Sequence, residues 1–318
     1  MIERSTPGNH AELLDVLESR AAERPKGRPL PKHPKAGDAV LAAITRSVAT
    51  HLANAPGVVL GEDPEAVHQG RVATRRLRSD LRTFAPMLDE GWDDSLRADL
   101  RVVADALGAV RDAEVLALRF EHTALLLSNP DAVEPILHAI AAERAEHRTE
   151  LLKHMSGSDY LSLLGRLVDA SRNPPLSDAA ARPAKEITLL VAKPWRRLRK
   201  AVRGLADEPS NAELHRIRIL AKRARYASEA VAPVVGRRAA RFAEAAKHLQ
   251  DILGALQDAV VAHDWLKEWA QGTNKVSAAF TAGELAGLEL AQQRDSRAAW
   301  REAWQDLDKK KTSRWIPS

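Results

Sequence analysis

A cationic pattern occurs twice in this 318-residue chain, and the two copies lie 147 residues apart. Each copy begins with a histidine, and arginine or lysine follows three, seven, eight and ten residues later. A guanidinium group can donate two parallel hydrogen bonds to a phosphate, whereas lysine supplies a point charge. Histidine donates a hydrogen bond and adds charge when it is protonated. The paired positions are His68 and His215, Arg71 and Arg218, Arg75 and Lys222, Arg76 and Arg223, and Arg78 and Arg225. This repetition indicates a surface that binds a polyanion.

Both copies are predicted to begin a helix. Asp63 followed by Pro64, and Ser210 followed three residues later by Glu213, are typical N-terminal capping signals. At about 100° per residue, most of the cations fall on a stripe about 80° wide, away from the apolar side that must face the core. We call these sets the first stripe (His68, Arg71, Arg75, Arg78 and Arg82) and the second stripe (His215, Arg218, Lys222 and Arg225). Glu229 continues the second stripe at the position of Arg82. Like charges at this spacing repel by a few tenths of a kcal/mol per pair, so both stripes favour an anionic ligand over a solvated face.

A second motif also occurs twice. Leu-Gly-x-x-Arg-Asp at residues 107–112 corresponds to Leu-Gly-x-x-Gln-Asp at residues 253–258. Glycine inside a helix costs about 1 kcal/mol relative to alanine, which predicts a close approach between helices at both positions. Asp112 and Asp258 either hold arginines of the basic helices in position or balance a local charge, as Arg111 would for Asp112.

The spacing of apolar residues predicts an all-α protein with two four-helix bundles formed by internal duplication. The halves are predicted at approximately 38–172 and 183–308. Residues 1–37 are predicted as a flexible, Pro/Lys-rich N-terminal tail in which 11–24 could form a short helix, and residues 309–318 as a C-terminal tail. The predicted helices are 38–55, 64–88, 93–127 and 131–155 in the first half, and 183–206, 211–232, 237–271 and 277–308 in the second.

Composition narrows the class of protein. The formal net charge is +5, and cysteine is absent, which excludes disulfides and thiol-based metal sites or nucleophiles. No apolar run approaches the roughly 18 residues of a membrane span, and no signal-peptide core is present. These features predict a soluble, cytoplasmic protein that binds no membrane. No histidine pair has metal-ligand spacing, so neither a metal nor a cofactor is expected.

The two duplicated motifs resemble those of the CHAD family, the histidine-containing α-helical domain. The resemblance covers about residues 38–308. It implies two four-helix bundles related by a pseudo-twofold axis, binding of inorganic polyphosphate, and association with polyphosphate granules and possible granule-protein partners. Gln257 departs from the pattern, because the first half has Arg111 at the equivalent position. A salt bridge at this position of the second half is therefore in question.

We expect the two stripes to line one basic groove, completed by residues of other helices. The further predicted polyphosphate-binding residues are Arg46, Arg76, Lys193, Arg197, Lys200, Arg223 and Tyr226. The predicted supporting residues are Asp112, Asp258 and Glu229. For Tyr226, a hydroxyl donor and a packing role are both open.

Two other classes of function remain open. Nucleic-acid binding is the alternative, because basic helices also suit a nucleic-acid backbone, although aromatic residues make up only 4% of the chain and no known binding motif occurs. An enzyme of polyphosphate metabolism is a third possibility. The sequence has no phosphate-binding glycine loop and no cluster of carboxylates for Mg²⁺, which favours a non-enzymatic binding protein.

Overall fold

The computed structural model describes residues 7–27 and 29–317. Within these residues the regular structure is helical, and extended pairing is limited to two isolated antiparallel bridges, Lys35 with Pro183 and Leu88 with Leu176. The all-α prediction is therefore confirmed. The helices are α1 (Pro7–Ala22), α2 (Ala36–Leu60), α3 (Pro64–Phe84), α4 (Trp92–Ala124), α5 (Glu134–Met155), α6 (Ser158–Arg172), α7 (Leu189–Arg203), α8 (Asn211–Val235), α9 (Arg237–Gly272), α10 (Val276–Asp308) and α11 (Lys310–Ser313).

The chain divides into two compact units that do not follow the predicted halves. The first unit comprises Met1–Glu114 and Glu143–Glu186, and the second comprises Val115–Ala142 and Ile187–Ser318. Helices α4 and α5 each begin in one unit and end in the other. The internal duplication and the pseudo-twofold relation remain predictions from the sequence.

In the first unit, α2 is the central helix and packs against α1, α3 and α6. Leu52 of α2 and Leu77 of α3 are almost completely buried. Leu17 of α1 is fully buried as well, because α1 packs on α2. The sequence predicted a flexible tail over residues 1–37 with a possible short helix at 11–24, and the structure has a packed helix at Pro7–Ala22.

In the second unit, α9 packs against both α8 and α10, and α7 packs against α8. Trp195 of α7 meets Phe242 of α9 edge to face, with their ring centroids 5.1 Å apart. The ring centroid of Trp315 is 6.1 Å from that of Phe242, and Ile316 is buried. The predicted C-terminal tail is therefore packed over its described part.

Helices α2 and α6 show the largest differences from the sequence prediction. Helix α2 was expected to end at residue 55, but it continues through Pro56 to Leu60. Burial of Val58 and Val59 stabilises this last turn, which ends at Gly61 in the left-handed conformation with φ of 69°. Helix α6, Ser158–Arg172, was not predicted. In the described part of the chain, no helix is both long and apolar enough to cross a bilayer.

Candidate polyanion-binding surfaces

The first stripe lies on α3, in the first unit. The side chain of Asp63 accepts a hydrogen bond of 2.8 Å from the backbone N–H of Glu65, which fixes the start of the helix as predicted. The stripe side chains from His68 to Arg78 are half-buried, and Arg82 is exposed. Their guanidinium groups are therefore held close to the protein surface.

Arg71 lies across α4 at Gly108. A Cβ added at Gly108 would be 3.7 Å from Nε of Arg71, which is an ordinary van der Waals distance, so the guanidinium packs closely on α4 at this glycine. Nη2 of Arg71 is 3.0 Å from Oδ1 of Asp112, whose side chain is 69% exposed. Of the two roles left open for Asp112, contact with an arginine of the basic helix is the one present in the first unit. Nε of Arg71 is buried and has no hydrogen-bond acceptor among the described residues.

Positive charge is crowded along the first stripe. Burial lowers the pKa of the Arg71 guanidinium; Asp112 opposes this shift, while Arg75 and Arg111 add to it. Burial also lowers the pKa of Arg78, whose buried Nε has no acceptor within the described residues.

The second stripe lies on α8, in the second unit. Ser210 and Glu213 form the predicted capping box at its start. Arg218 lies across α9 at Gly254 as Arg71 does at Gly108: a Cβ added at Gly254 would be 3.6 Å from Nε of Arg218. Nε of Arg218 and Nδ1 of His215 are buried, and neither has a hydrogen-bond partner in the part of the chain that the structure describes. Asp258 is exposed on α9, one turn beyond Gly254.

At the end of the second stripe, Arg225 has partners within the protein. Nε of Arg225 is 2.6 Å from Oε1 of Glu229, and Nη1 donates a 3.1 Å hydrogen bond to Gln250. Burial alone would lower the pKa of Arg225, but the hydrogen bond and the charge of Glu229 outweigh it and raise this pKa. Tyr226 is buried beneath this guanidinium, at 5.3 Å, so its ring has a packing role. Glu229 thus neutralises a cation that was predicted to bind the ligand.

Arg76 was also predicted as a ligand, but it lies on a different face of α3. Its Nε is 3.3 Å from Oδ1 of Asp80, which is 2% exposed and accepts a 3.2 Å hydrogen bond from Ser47 on α2. Burial raises the pKa of Asp80 to about 6, and Arg76, Ser47 and Arg46 oppose the shift. Arg76 therefore stabilises the contact between α2 and α3, and Arg46 lies near enough to act on the same carboxylate.

The remaining predicted ligands lie on α7 or on the side of α8 that faces α7. Arg197, Lys200 and Arg223 line one cleft in the second unit. Arg216 lines the same cleft and was missed, because it does not fall on the stripe. Lys193 is exposed on α7 and does not line this cleft.

Several other basic residues have structural partners that the sequence could not show. Oε1 of buried Glu114 accepts hydrogen bonds of 3.1 and 3.0 Å from Nε and Nη2 of Arg144. Nη2 of Arg148 donates a 2.7 Å hydrogen bond to the carbonyl of Val59, at the end of α2. These side chains stabilise helix contacts. No group of three or more metal-ligating side chains is present in the described residues.

Three comparisons place the fold among known proteins. A family model described as the CHAD domain matches residues 42–267. The chain is 31% identical over 267 residues to the uncharacterized protein Rv2226 of Mycobacterium tuberculosis. This match covers 77% of this chain and 48% of that protein. The chain therefore spans about half the length of the curated relatives it matches. The crystal structure of the CHAD domain from the plant Ricinus communis is similar, with a TM-score of 0.69 and 25% identity, and the match covers 89% of this chain and 95% of that one. PptA from Streptomyces chartreusis shares the fold, with a TM-score of 0.70 and 22% identity over 85% of this chain and 99% of that one.

Proposed function

The chain belongs to the CHAD family, and on that premise we propose that it binds inorganic polyphosphate through the two stripes, on α3 and α8. The proposal includes association with polyphosphate granules and a role in binding rather than in catalysis. The resemblance of the duplicated motifs to the CHAD family gives the ligand class.

The observation that carries the proposal is the equivalent placement of Arg71 and Arg218. Each guanidinium packs against a neighbouring helix at a glycine, and this contact restricts the side chain before any ligand binds. A side chain that is already ordered loses little conformational entropy when it binds, so more of its interaction with phosphate contributes to affinity. Burial together with neighbouring arginines lowers the pKa of Arg71 and of Arg78, and an anion bound at these two guanidinium groups would oppose both effects.

A linear phosphate polymer suits these stripes. It carries about one negative charge per phosphate, so its binding would depend on a line of cations and on the release of counterions, as with nucleic-acid backbones. Proteins that bind single-stranded nucleic acids also use aromatic side chains, on which the bases stack. The two stripes contain no phenylalanine, tyrosine or tryptophan. Polyphosphate is therefore favoured over nucleic acid.

The test is a titration with long-chain polyphosphate beside duplex DNA of equal charge, at physiological salt. We expect tight binding of polyphosphate and much weaker binding of DNA. The double variant Arg71→Ala with Arg218→Ala should bind polyphosphate far more weakly and keep the helical circular-dichroism spectrum. The matched control is the double variant Arg182→Ala with Arg241→Ala, which removes the same charge by changing one arginine in each unit. It should bind polyphosphate nearly as well as the original protein.

Each outcome has a definite meaning. Equal loss in the test and control variants would show a generic basic surface and remove the assignment to the stripes. Equal affinity for DNA and polyphosphate would favour the nucleic-acid alternative. Release of orthophosphate from polyphosphate over time, with or without Mg²⁺, would contradict the non-enzymatic role.

A further inference from the structure

A basic cleft lies between α7 and α8 in the second unit. Its volume is about 710 Å³. Arg197 and Lys200 of α7 and Arg216 and Arg223 of α8 line it, together with apolar residues that include Leu220. The cleft occupies a different face of α8 from the second stripe, because Arg216 and Arg223 point away from the stripe positions at helical spacing.

Positive charge predominates in this cleft. All four cations are exposed, and none is within salt-bridge distance of a carboxylate belonging to the described residues. In contrast, Arg199 on the same helix α7 is 2.8 Å from Asp308. The cleft is therefore a site of unbalanced positive charge.

One carboxylate, that of Glu213, also lines the cleft. It accepts 2.8 Å hydrogen bonds from the backbone N–H and the hydroxyl of Ser210. These hydrogen bonds lower the pKa of Glu213, so the group is ionised and subtracts one charge. Four cations still outnumber this single anion.

The corresponding face of the first unit is not basic. At the 147-residue shift, Thr50, Ala53 and Gln69 stand where the second unit has Arg197, Lys200 and Arg216. Arg76 corresponds to Arg223, but it is paired with Asp80. Ala227 occupies the position of Asp80 in the second copy. The charge of the cleft is thus specific to the second unit and does not follow from the repeated stripe.

We propose that the α7–α8 cleft is a second binding site for inorganic polyphosphate, separate from the stripe on α8. This inference rests on the proposed function and extends it to a second site. Arg216 and Arg223 are seven residues apart, which is about 10.5 Å along a helix, so a run of several phosphates can contact both. A protein with two such sites holds two segments of polyphosphate and can cross-link separate chains, as expected of a multivalent binder.

Calorimetry with a short oligophosphate and light scattering with long-chain polyphosphate test the proposal. The cleft variant carries Arg197→Gln, Lys200→Gln, Arg216→Gln and Arg223→Gln. It should bind at least one oligophosphate fewer per protein than the original chain, and it should lose most of the polyphosphate-dependent scattering. It should still bind long-chain polyphosphate through the stripes. The control variant Arg237→Gln, Arg238→Gln, Arg241→Gln and Lys275→Gln removes equal charge from exposed positions of the same unit and should scatter like the original chain.

The results separate this inference from the proposed function. If the cleft variant keeps the stoichiometry and scattering of the original protein, the second site is refuted while binding at the stripes stands. If the stripe variant Arg71→Ala with Arg218→Ala loses all oligophosphate binding, the cleft is not an independent site. If the original protein binds no polyphosphate at all, both proposals fail. Circular dichroism of each variant shows whether it folds.

Discussion

Replacement of Glu229 by glutamine should strengthen polyphosphate binding. Glu229 accepts the 2.6 Å contact from Nε of Arg225, and the two side chains are 23% and 19% exposed. Glutamine keeps an acceptor oxygen for Arg225 and removes one negative charge. The first stripe has Arg82 at this position, so the substitution makes the second stripe more similar to the first.

The size of the effect follows from counterion release. For a flexible single-stranded polyanion, each phosphate that is neutralised changes the logarithm of the binding constant by about 0.7 per tenfold change in salt. If Arg225, released from Glu229, neutralises one more phosphate, the slope of the logarithm of the binding constant against the logarithm of salt concentration becomes steeper by about 0.7. If the affinities of the variant and the original protein are equal at 1 M salt, the variant then binds about fivefold more tightly at 0.1 M salt. Loss of the charged hydrogen bond should lower the free energy of unfolding by about 1 kcal/mol.

Polyphosphate titrations at several salt concentrations measure both quantities. The control is Glu302→Gln, which changes the net charge equally at an exposed position on α10. Unchanged affinity and slope for Glu229→Gln would place Arg225 outside the binding surface. Weaker binding would mean that Glu229 positions Arg225 for the ligand, and our reasoning from neutralisation would be wrong.

Three further predictions concern stability and can be checked by urea denaturation. Burial raises the pKa of the Asp80 carboxyl to about 6, so its contribution to the free energy of unfolding is present at acid pH and is lost as pH rises. Burial lowers the pKa of His51 to about 4, so its contribution to the free energy of unfolding is lost as pH falls from 6.5. Asp80→Asn removes the first effect and should make the free energy of unfolding fall more steeply than in the original protein between pH 6.5 and 4; parallel curves would contradict this. Gly108→Ala should raise the free energy of unfolding by up to about 1 kcal/mol, since the new Cβ has room, whereas Gly57→Ala should lower it because its Cβ would be 2.9 Å from a neighbouring side chain on α3. Arg148→Ala should lower the free energy of unfolding by about 1–3 kcal/mol, because it leaves carbonyls at the end of α2 without their donor. It should not weaken polyphosphate binding, and a weaker affinity would assign Arg148 to the binding site.

Local features of the fold could be predicted from the sequence. The capping boundaries at Asp63 and Ser210 were correct, because caps depend on residues within one turn. The continuation of α2 through Pro56 could not be predicted, because burial of the following turn outweighs the poor helix propensity of proline. Helix α6 could have been predicted, since Tyr160, Leu163, Leu164 and Leu167 follow helical spacing and all are buried.

The sequence also predicted which helices carry the cations, and the CHAD family assignment is confirmed. It did not separate ligand candidates from structural arginines. Two of these were open to prediction, because Arg76 with Asp80 and Arg225 with Glu229 are four residues apart on a helix. The contact of Arg71 with Asp112 joins different helices, so only the fold could show its geometry.

Helices α4 and α5 each contribute residues to both units, and this limits where the chain can be cut into separate fragments. The second unit includes residues 115–142, which lie within the first half of the sequence. Phe120 is fully buried there, 5.9 Å from Trp265, and Ile136 and Ile140 are fully buried too. A fragment that ends near residue 172 would expose this apolar hairpin, and a fragment that begins near residue 183 would lack it. The two halves are therefore poor candidates for separate expression, but a mixture of both fragments could reassemble by complementation, with the hairpin of one completing the core of the other.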